Sequence, residues 1–251
     1  MGAGPRFALF CAIVLIAPGA VMALGGPRMV DLGKLVLILS PAVAGLALNP
    51  GLGRWGARRW GQVGVAAAVT LAVAGGALAV ALALGAARLG HHAPQAAPVA
   101  ATLLTSVLEE LGWAGAGLAL AVKALGRRWG VVVLGLVWAA WHLVPAFLRI
   151  GLFPELETAP PAMLAAFVAS CLAYRELLTR LVERAGTWLA AAAGHAAPNL
   201  LLAGLMSGGA VLPSGPGDWP LFPAPGGLVF LAFAALAAWG VGRMRGTRRS
   251  H

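Results

Sequence analysis

Charge is scarce in this chain. Only 10% of its 251 residues are charged, and just 8 are acidic. Ordinary soluble domains carry about 25% charged residues. So little charge cannot cover a water-exposed surface. The 60% hydrophobic content and a mean hydropathy of +0.87 point instead to a polytopic membrane protein. Cysteine is rarer still. Cys11 and Cys171 both fall inside apolar runs, which reads as buried thiols and implies no disulfide framework. No nucleotide-binding loop, haem motif, H-E-x-x-H zinc signature or soluble domain is evident. An internal repeat of the kind that marks inverted-topology transporters is also missing. Position 6 is Arg where a myristoylation motif after Gly2 needs Ser or Thr, and the final RRSH offers no cysteine for prenylation.

What is present is a series of apolar runs. A spanning helix needs about 20 mainly apolar residues, and eight segments meet or approach that length: 7–24, 34–49, 63–85, 99–122, 131–148, 160–178, 187–206 and 226–242. The expected fold is all-α, a membrane helical bundle of about eight transmembrane helices. Three regions are expected: helices one to three over 1–98, a core of helices four to seven over 99–206, and an outer loop, last span and basic tail over 207–251.

Charge tests the count. A pI near 11.5 would suit nucleic acid, but the basic residues sit in short stretches between apolar runs, which is a topology signal. With eight spans, one side holds Arg6; Arg54, Arg58, Arg59; Lys123, Arg127, Arg128; Arg175, Arg180, Arg184; and Arg243, Arg245, Arg248, Arg249, which is 14 of the 18 basic residues. The other side holds Arg28, Lys34, Arg88 and Arg149. Positive residues stay cytoplasmic, so both termini are expected inside, in a cell's inner (plasma) membrane. The first run has a signal peptide's parts; we read it as a retained span, because the charge asymmetry works best with it. The C-terminal GRMRGTRRS is expected to meet anionic lipid. His91-His92 reads as a solvated loop tip rather than a metal site. The long segment Ser207 to Gly227, rich in Gly and Pro, reads as an outer loop.

Against this apolar background, Glu109 and Glu110 stand in the middle of the fourth span. Each carboxylate near a bilayer centre costs about 2.5–3.5 kcal/mol on insertion scales, so the pair marks a functional site facing the bundle interior. Partners of catalytic type occur in two other spans: His142 in the fifth, and His195 and Asn199 in the seventh. At 1.5 Å per residue, the glutamates lie roughly 18–20 Å from the inner end of their span, His142 about 16 Å, His195 about 12 Å and Asn199 about 18 Å. All fall in the central third of a core about 30 Å thick. His195 and Asn199 are four apart and share a helix face, as do Trp138 and His142. Pro198 removes a main-chain donor and opens room for a kink. Glu109 and Glu110 are about 100° apart around a helix, so one is expected to face a central cavity and the other a neighbouring helix. Gly112, Gly115 and Gly117 allow that helix a close approach. Taken singly, either His reads equally as an interhelical hydrogen bonder, Asn199 as packing glue, and Trp138 and Trp141 as core. As a set at one depth, they read as a polar active centre.

These residues resemble the CPBP (Abi) family of intramembrane proteases, the superfamily of the eukaryotic CAAX-processing endopeptidase. Its motifs, EExxxR, FxxxH and HxxxN, correspond here to Glu109-Glu110 through Ala114, Trp138 through His142, and His195 through Asn199. The match covers roughly 99–206. Trp138 stands for the Phe, a mild aromatic exchange. Ala114 stands for the Arg, which removes the cation that the motif offers Glu110.

The resemblance implies hydrolysis of a peptide bond in a membrane-embedded, water-filled cavity. Glu109 would be general base on a water, with His142 sharing in its orientation. His195 and Asn199 would donate to the oxyanion, and Glu110 would position Glu109. No cofactor is expected in that scheme. Zinc held by Glu and His is the other open version, although Asn is a poor ligand for it. The implied partners are membrane lipid and a peptide or protein substrate, not nucleic acid, with the oligomeric state left open. Two further readings stand beside it: a non-catalytic pseudoprotease or membrane scaffold, favoured by Ala114, and a proton-coupled transporter.

Overall fold

A computed structural model describes residues 1–25, 30–49, 59–213 and 217–244. Arg28, Arg54, Arg58 and the tail residues Arg245, Arg248 and Arg249 lie outside the described residues, so their part in the charge count is not addressed. The described chain is helical throughout, with nine α-helices: α1 (Ala3–Gly25), α2 (Val30–Leu48), α3 (Trp60–Ala83), α4 (Ala96–Gly112), α5 (Leu118–Phe147), α6 (Pro154–Glu157), α7 (Pro161–Ala185), α8 (Leu189–Ser207) and α9 (Leu228–Arg243). A π-helical turn, Trp113–Gly117, joins α4 to α5.

Every expected span has a helical counterpart. Six stretches are long and apolar enough to cross a membrane, and one of them, Ala96–Phe147, runs for 52 residues. At 1.5 Å per residue that is about 80 Å, far beyond one bilayer core of about 30 Å. Gly126 resolves the excess. Its backbone turns to φ 74°, ψ 164°, a conformation open to glycine and closed to most other residues, and the stretch divides into two passes there. Together with the shorter apolar α9, this restores eight passes of a multi-pass membrane protein. The Gly126 turn carries Lys123, Arg127 and Arg128, with the Arg128 guanidinium 5.6 Å from the Trp129 ring.

The helices gather into two compact units. The first holds residues 1–56 and 108–158. In it α1 packs against α2 and α5, and the π turn packs against both α2 and α5. The two passes on either side of Gly126 form an antiparallel hairpin. A Cβ on Gly130 would meet the Ala121 carbonyl carbon at 2.8 Å, and one on Gly117 would meet Leu134 Cδ1 at 3.2 Å. α2 approaches more closely still. A Cβ on Gly112 would fall on the Pro41 carbonyl, and one on Gly45 would sit 3.1 Å from Gly112 Cα. Gly112 and Gly117 therefore do admit close neighbours, as small residues do between membrane helices.

The second unit holds residues 57–107 and 159–251. α3 lies along α8, α7 lies along α9, and α7 and α8 form a second hairpin. Its turn is Gly186, left-handed at φ 71°, whose N–H closes α7 on the Val182 carbonyl at 2.8 Å. Thr187 Oγ1 then accepts from the Leu189 N–H at 3.3 Å, supplying one of the acceptors that a helix start needs. At the other end, Arg88 and Val211 pair main chains and the His92 N–H donates to the Gly208 carbonyl at 3.2 Å. The His91-His92 loop is thus tied to the loop after α8.

One sequence expectation changes here. Arg175, counted among the residues flanking a span, lies inside α7 and is 1% exposed. α7 runs seven residues past the expected end at 178, because Glu176 and Arg180 form an i,i+4 ion pair at 2.6 Å that continues the helix.

Gly112→Ala is expected to destabilise the protein by about 1–3 kcal/mol through overpacking. Thermal unfolding in detergent, with Gly204→Ala as the comparison where an added Cβ meets nothing within 4 Å, checks it. Equal midpoints for the two variants would contradict the packing described.

Candidate active site

The first unit contributes the glutamates and one histidine. Glu110 is fully buried at 0% exposure, whereas Glu109 keeps 9%. Both are buried, Glu109 slightly less completely. Both make polar interactions of their own, so Glu110 is not isolated despite Ala114.

Their level in the hairpin is set by tryptophans. Trp113, 0% exposed, meets Phe10 edge-on at 5.5 Å and Trp141 edge-on at 6.2 Å between ring centroids. Glu109 and Glu110 come one turn before Trp113, and His142 follows Trp141 directly. The hairpin therefore holds the glutamates and His142 within about one helical turn of each other along its axis. The π turn lies just beyond the glutamates: the Leu118 N–H reaches back five residues to the Trp113 carbonyl. Such insertions occur often at functional sites.

His142 is half-buried in an aromatic surround. Its ring lies 4.7 Å from Trp141, 4.9 Å from Phe153 and 5.5 Å from Trp138, centroid to centroid. Its Nδ1 is 2.9 Å from the Trp138 carbonyl. A carbonyl only accepts, so Nδ1 carries the hydrogen, and a neutral ring keeps its lone pair on Nε2. Trp138 thus serves His142 twice, by its ring and by its main chain. Four-residue spacing is what the second contact requires.

The second unit contributes His195 and Asn199, one turn apart on α8. His195 is 5% exposed. Asn199 Nδ2 donates to Ser106 Oγ at 3.3 Å, and the amide nitrogen has a second hydrogen to offer. Ser106, 1% exposed, sits on α4 three and four residues before the glutamates. The sequence reading passed over it because serine is common packing material in membrane helices. Its i,i+4 relation to Glu110 is the signal that could have singled it out. Among the described residues, no three His, Cys, Asp or Glu side chains are grouped as a metal ion would need.

Residues 91–201 match the model of the family described as type II CAAX prenyl endopeptidase Rce1-like. This segment is similar to the Rce1-like family. No curated protein matches the chain. The Rce1-like segment begins at the loop before α4, ends two residues after Asn199, and contains all five residues of the polar set. That family is one of CAAX-type intramembrane proteases, a likeness that implies membrane association and a peptide substrate. α1, α2, α3, the end of α8 and α9 lie outside it.

The neutral tautomer of His142 is expected to be Nδ1–H. Ring ¹⁵N shifts of histidine-labelled protein in micelles read this directly. An Nε2–H signature would exclude the assignment.

Proposed function

We propose that this chain is an intramembrane endopeptidase in which a glutamate, rather than a metal, activates the water. Glu109 takes a proton from water as it attacks the scissile carbonyl, with His142 Nε2 accepting the water's other hydrogen and aligning its lone pair. His195 and Asn199 donate hydrogen bonds to the oxyanion as the tetrahedral intermediate forms. Glu109 then returns the proton to the leaving amine. Glu110 and Ser106 hold Glu109 and Asn199, respectively, in position. The site residues are Glu109, Glu110, His142, His195 and Asn199, within a core over 99–206.

The observation that carries this reading is the Asn199 amide, which donates to Ser106 Oγ at 3.3 Å and has a second hydrogen to offer one turn from His195. A ring whose Nδ1–H is committed to the Trp138 carbonyl presents an acceptor at Nε2, as a water-orienting group must. The slightly less complete burial of Glu109 beside a sealed Glu110 supports the division of their roles. Zinc remains the competing version. The protein is proposed to lie in the cell's inner membrane with both termini cytoplasmic, and the substrate need not be prenylated.

Glu109→Gln is the deciding variant. It is expected to lower cleavage by about 10²–10⁴-fold, the usual worth of a general base, while the protein still folds and inserts. The measurement compares new N-termini among membrane proteins of cells producing either form, followed by cleavage of a recovered substrate in liposomes. Retained cleavage ends the glutamate mechanism. Retained cellular effect without any cleavage would favour the scaffold reading, which Ala114 motivates. Loss of activity on verified metal removal, restored by zinc, would favour the metal version.

A further inference from the structure

A proline inside a helix leaves the carbonyl four residues earlier without its main-chain donor. In a bilayer core no water takes the donor's place. Pro198 does this to Gly194, and Pro41 does it to Leu37. Both carbonyls are met by a side chain from another helix of the same unit. Tyr174 Oη donates to the Gly194 carbonyl at 2.7 Å, in a buried contact from α7 to α8. Trp141 Nε1 donates to the Leu37 carbonyl at 3.2 Å, also buried, from α5 to α2. Ser40 Oγ shares that second acceptor at 2.8 Å.

The two latches have a common address. Gly194 directly precedes His195, and Trp141 directly precedes His142. Tyr174 is the only tyrosine in the chain. It is 2% exposed and rests edge-on against Phe230 at 5.6 Å. The opposite side of the Gly194 turn is closed: a Cβ there would meet Leu178 Cδ2 at 3.0 Å and Thr70 Cγ2 at 3.3 Å. The turn that carries His195 is thus packed by α3 and α7 and hydrogen-bonded by α7.

We propose that Tyr174 and Trp141 are positioning residues, each fixing the turn that bears one of the two histidines by donating to a carbonyl that a proline has freed. The inference rests on the protease reading only for what the histidines do, not for how they are held. It predicts that tyrosine and proline are coupled. Restoring an N–H at position 198 gives Gly194 its main-chain donor back and makes the Tyr174 hydroxyl dispensable.

The test is a double-mutant cycle on the full chain in detergent, with Tyr174→Phe, Pro198→Ala and the two combined. Thermal or denaturant unfolding gives the folded-to-unfolded ratio, and ring ¹⁵N resonances of His195, assigned with His195→Gln, give its setting. Tyr174→Phe alone should lower the ratio roughly ten-fold or more, since it strands a buried acceptor, and should shift the His195 resonances. In the Pro198→Ala background the same change should cost about two-fold or less and leave His195 in place, which is the coupling expected of directly interacting groups. An equal loss in both backgrounds, or His195 resonances that Tyr174→Phe does not move, overturns the proposal for Tyr174. If Tyr174→Phe alone does not fold, a folded double variant upholds the latch, and an unfolded one overturns it, because the hydroxyl then matters for something other than the Gly194 carbonyl. For Trp141→Phe, Ser40 keeps the Leu37 acceptor satisfied, so the expected result is shifted His142 resonances with little loss of stability; unmoved resonances overturn that half. None of these readouts requires hydrolysis. Cleavage retained by Glu109→Gln would end the glutamate mechanism and leave the latches standing, whereas an uncoupled cycle would do the reverse.

Discussion

In a lipid core every main-chain carbonyl needs a donor supplied by the protein itself, and this chain builds its histidine-bearing helices around places where that rule is strained. Pro41, Pro145 and Pro198 all lie inside helices. Each removes a donor that a soluble protein could replace with water. At Leu37 and Gly194, satisfying the freed carbonyl from a neighbouring helix turns a local defect into a fixed interhelical bond. A hydrogen bond of this kind is directional, which apolar packing against lipid-like side chains is not. Direction matters most where a side chain must present one particular atom, and His142 and His195 each follow immediately on such a contact.

The spans were legible because hydropathy in a membrane is a strong constraint. About 20 apolar residues have few alternative fates, and basic residues mark the turns. The polar set stands out in the sequence because Glu109, His142, His195 and Asn199 are expensive inside apolar spans. What could not be read was register. Nothing in Trp113-Ala-Gly-Ala-Gly117 announces a π turn, since the same glycines serve helix contacts equally well. The pairing of Trp113 with Trp141 depends on where the hairpin closes, which Gly126 decides through its backbone angles. Arg175 was misplaced for a related reason. A charge near a span's end looks like a flank, and only the Glu176–Arg180 pair and the continuation to Ala185 show that α7 keeps going. Tyr174 and Trp141 were read as bulk or not at all. Their roles arise from prolines distant in sequence, and a hydrogen bond across 20 or 104 residues leaves no local pattern.

The family segment does not contain everything that holds its residues. α2 precedes it by some forty residues in the chain, yet the Pro41 carbonyl sits against Gly112, two residues after Glu110, and the Leu37 carbonyl receives the Trp141 indole. One kinked helix thus touches both passes of the hairpin, on either side of the level where the glutamates and His142 stand. Gly112 has to be glycine for the first contact. Trp141 has to be a donor for the second. The exchange of Arg for Ala114 is easier to understand in this setting. Ala114 is 7% exposed within the tightly packed π turn, where a guanidinium would have to displace neighbouring side chains. Glu110 retains interactions of its own.

The choice between a carboxylate base and a bound metal comes down to what each asks of the protein. Zinc needs three ligands at about 2.0–2.2 Å for nitrogen and oxygen donors, so three side chains must point at one centre. A glutamate base asks only that a water be held between one carboxylate oxygen and an acceptor that aligns it. His142 Nδ1 is committed to the Trp138 carbonyl of its own helix. Metal-bound histidines commonly use the same arrangement, donating their other N–H to a carbonyl, so the tautomer alone does not separate the cases. The amide does. Asn199 spends one hydrogen on Ser106 and keeps another, a donor one turn from His195. Donors are what a developing oxyanion requires, and they would be an encumbrance beside a cation. A histidine and an asparagine one turn apart on the same helix therefore suit the proposed oxyanion role, and with it the proposed glutamate base.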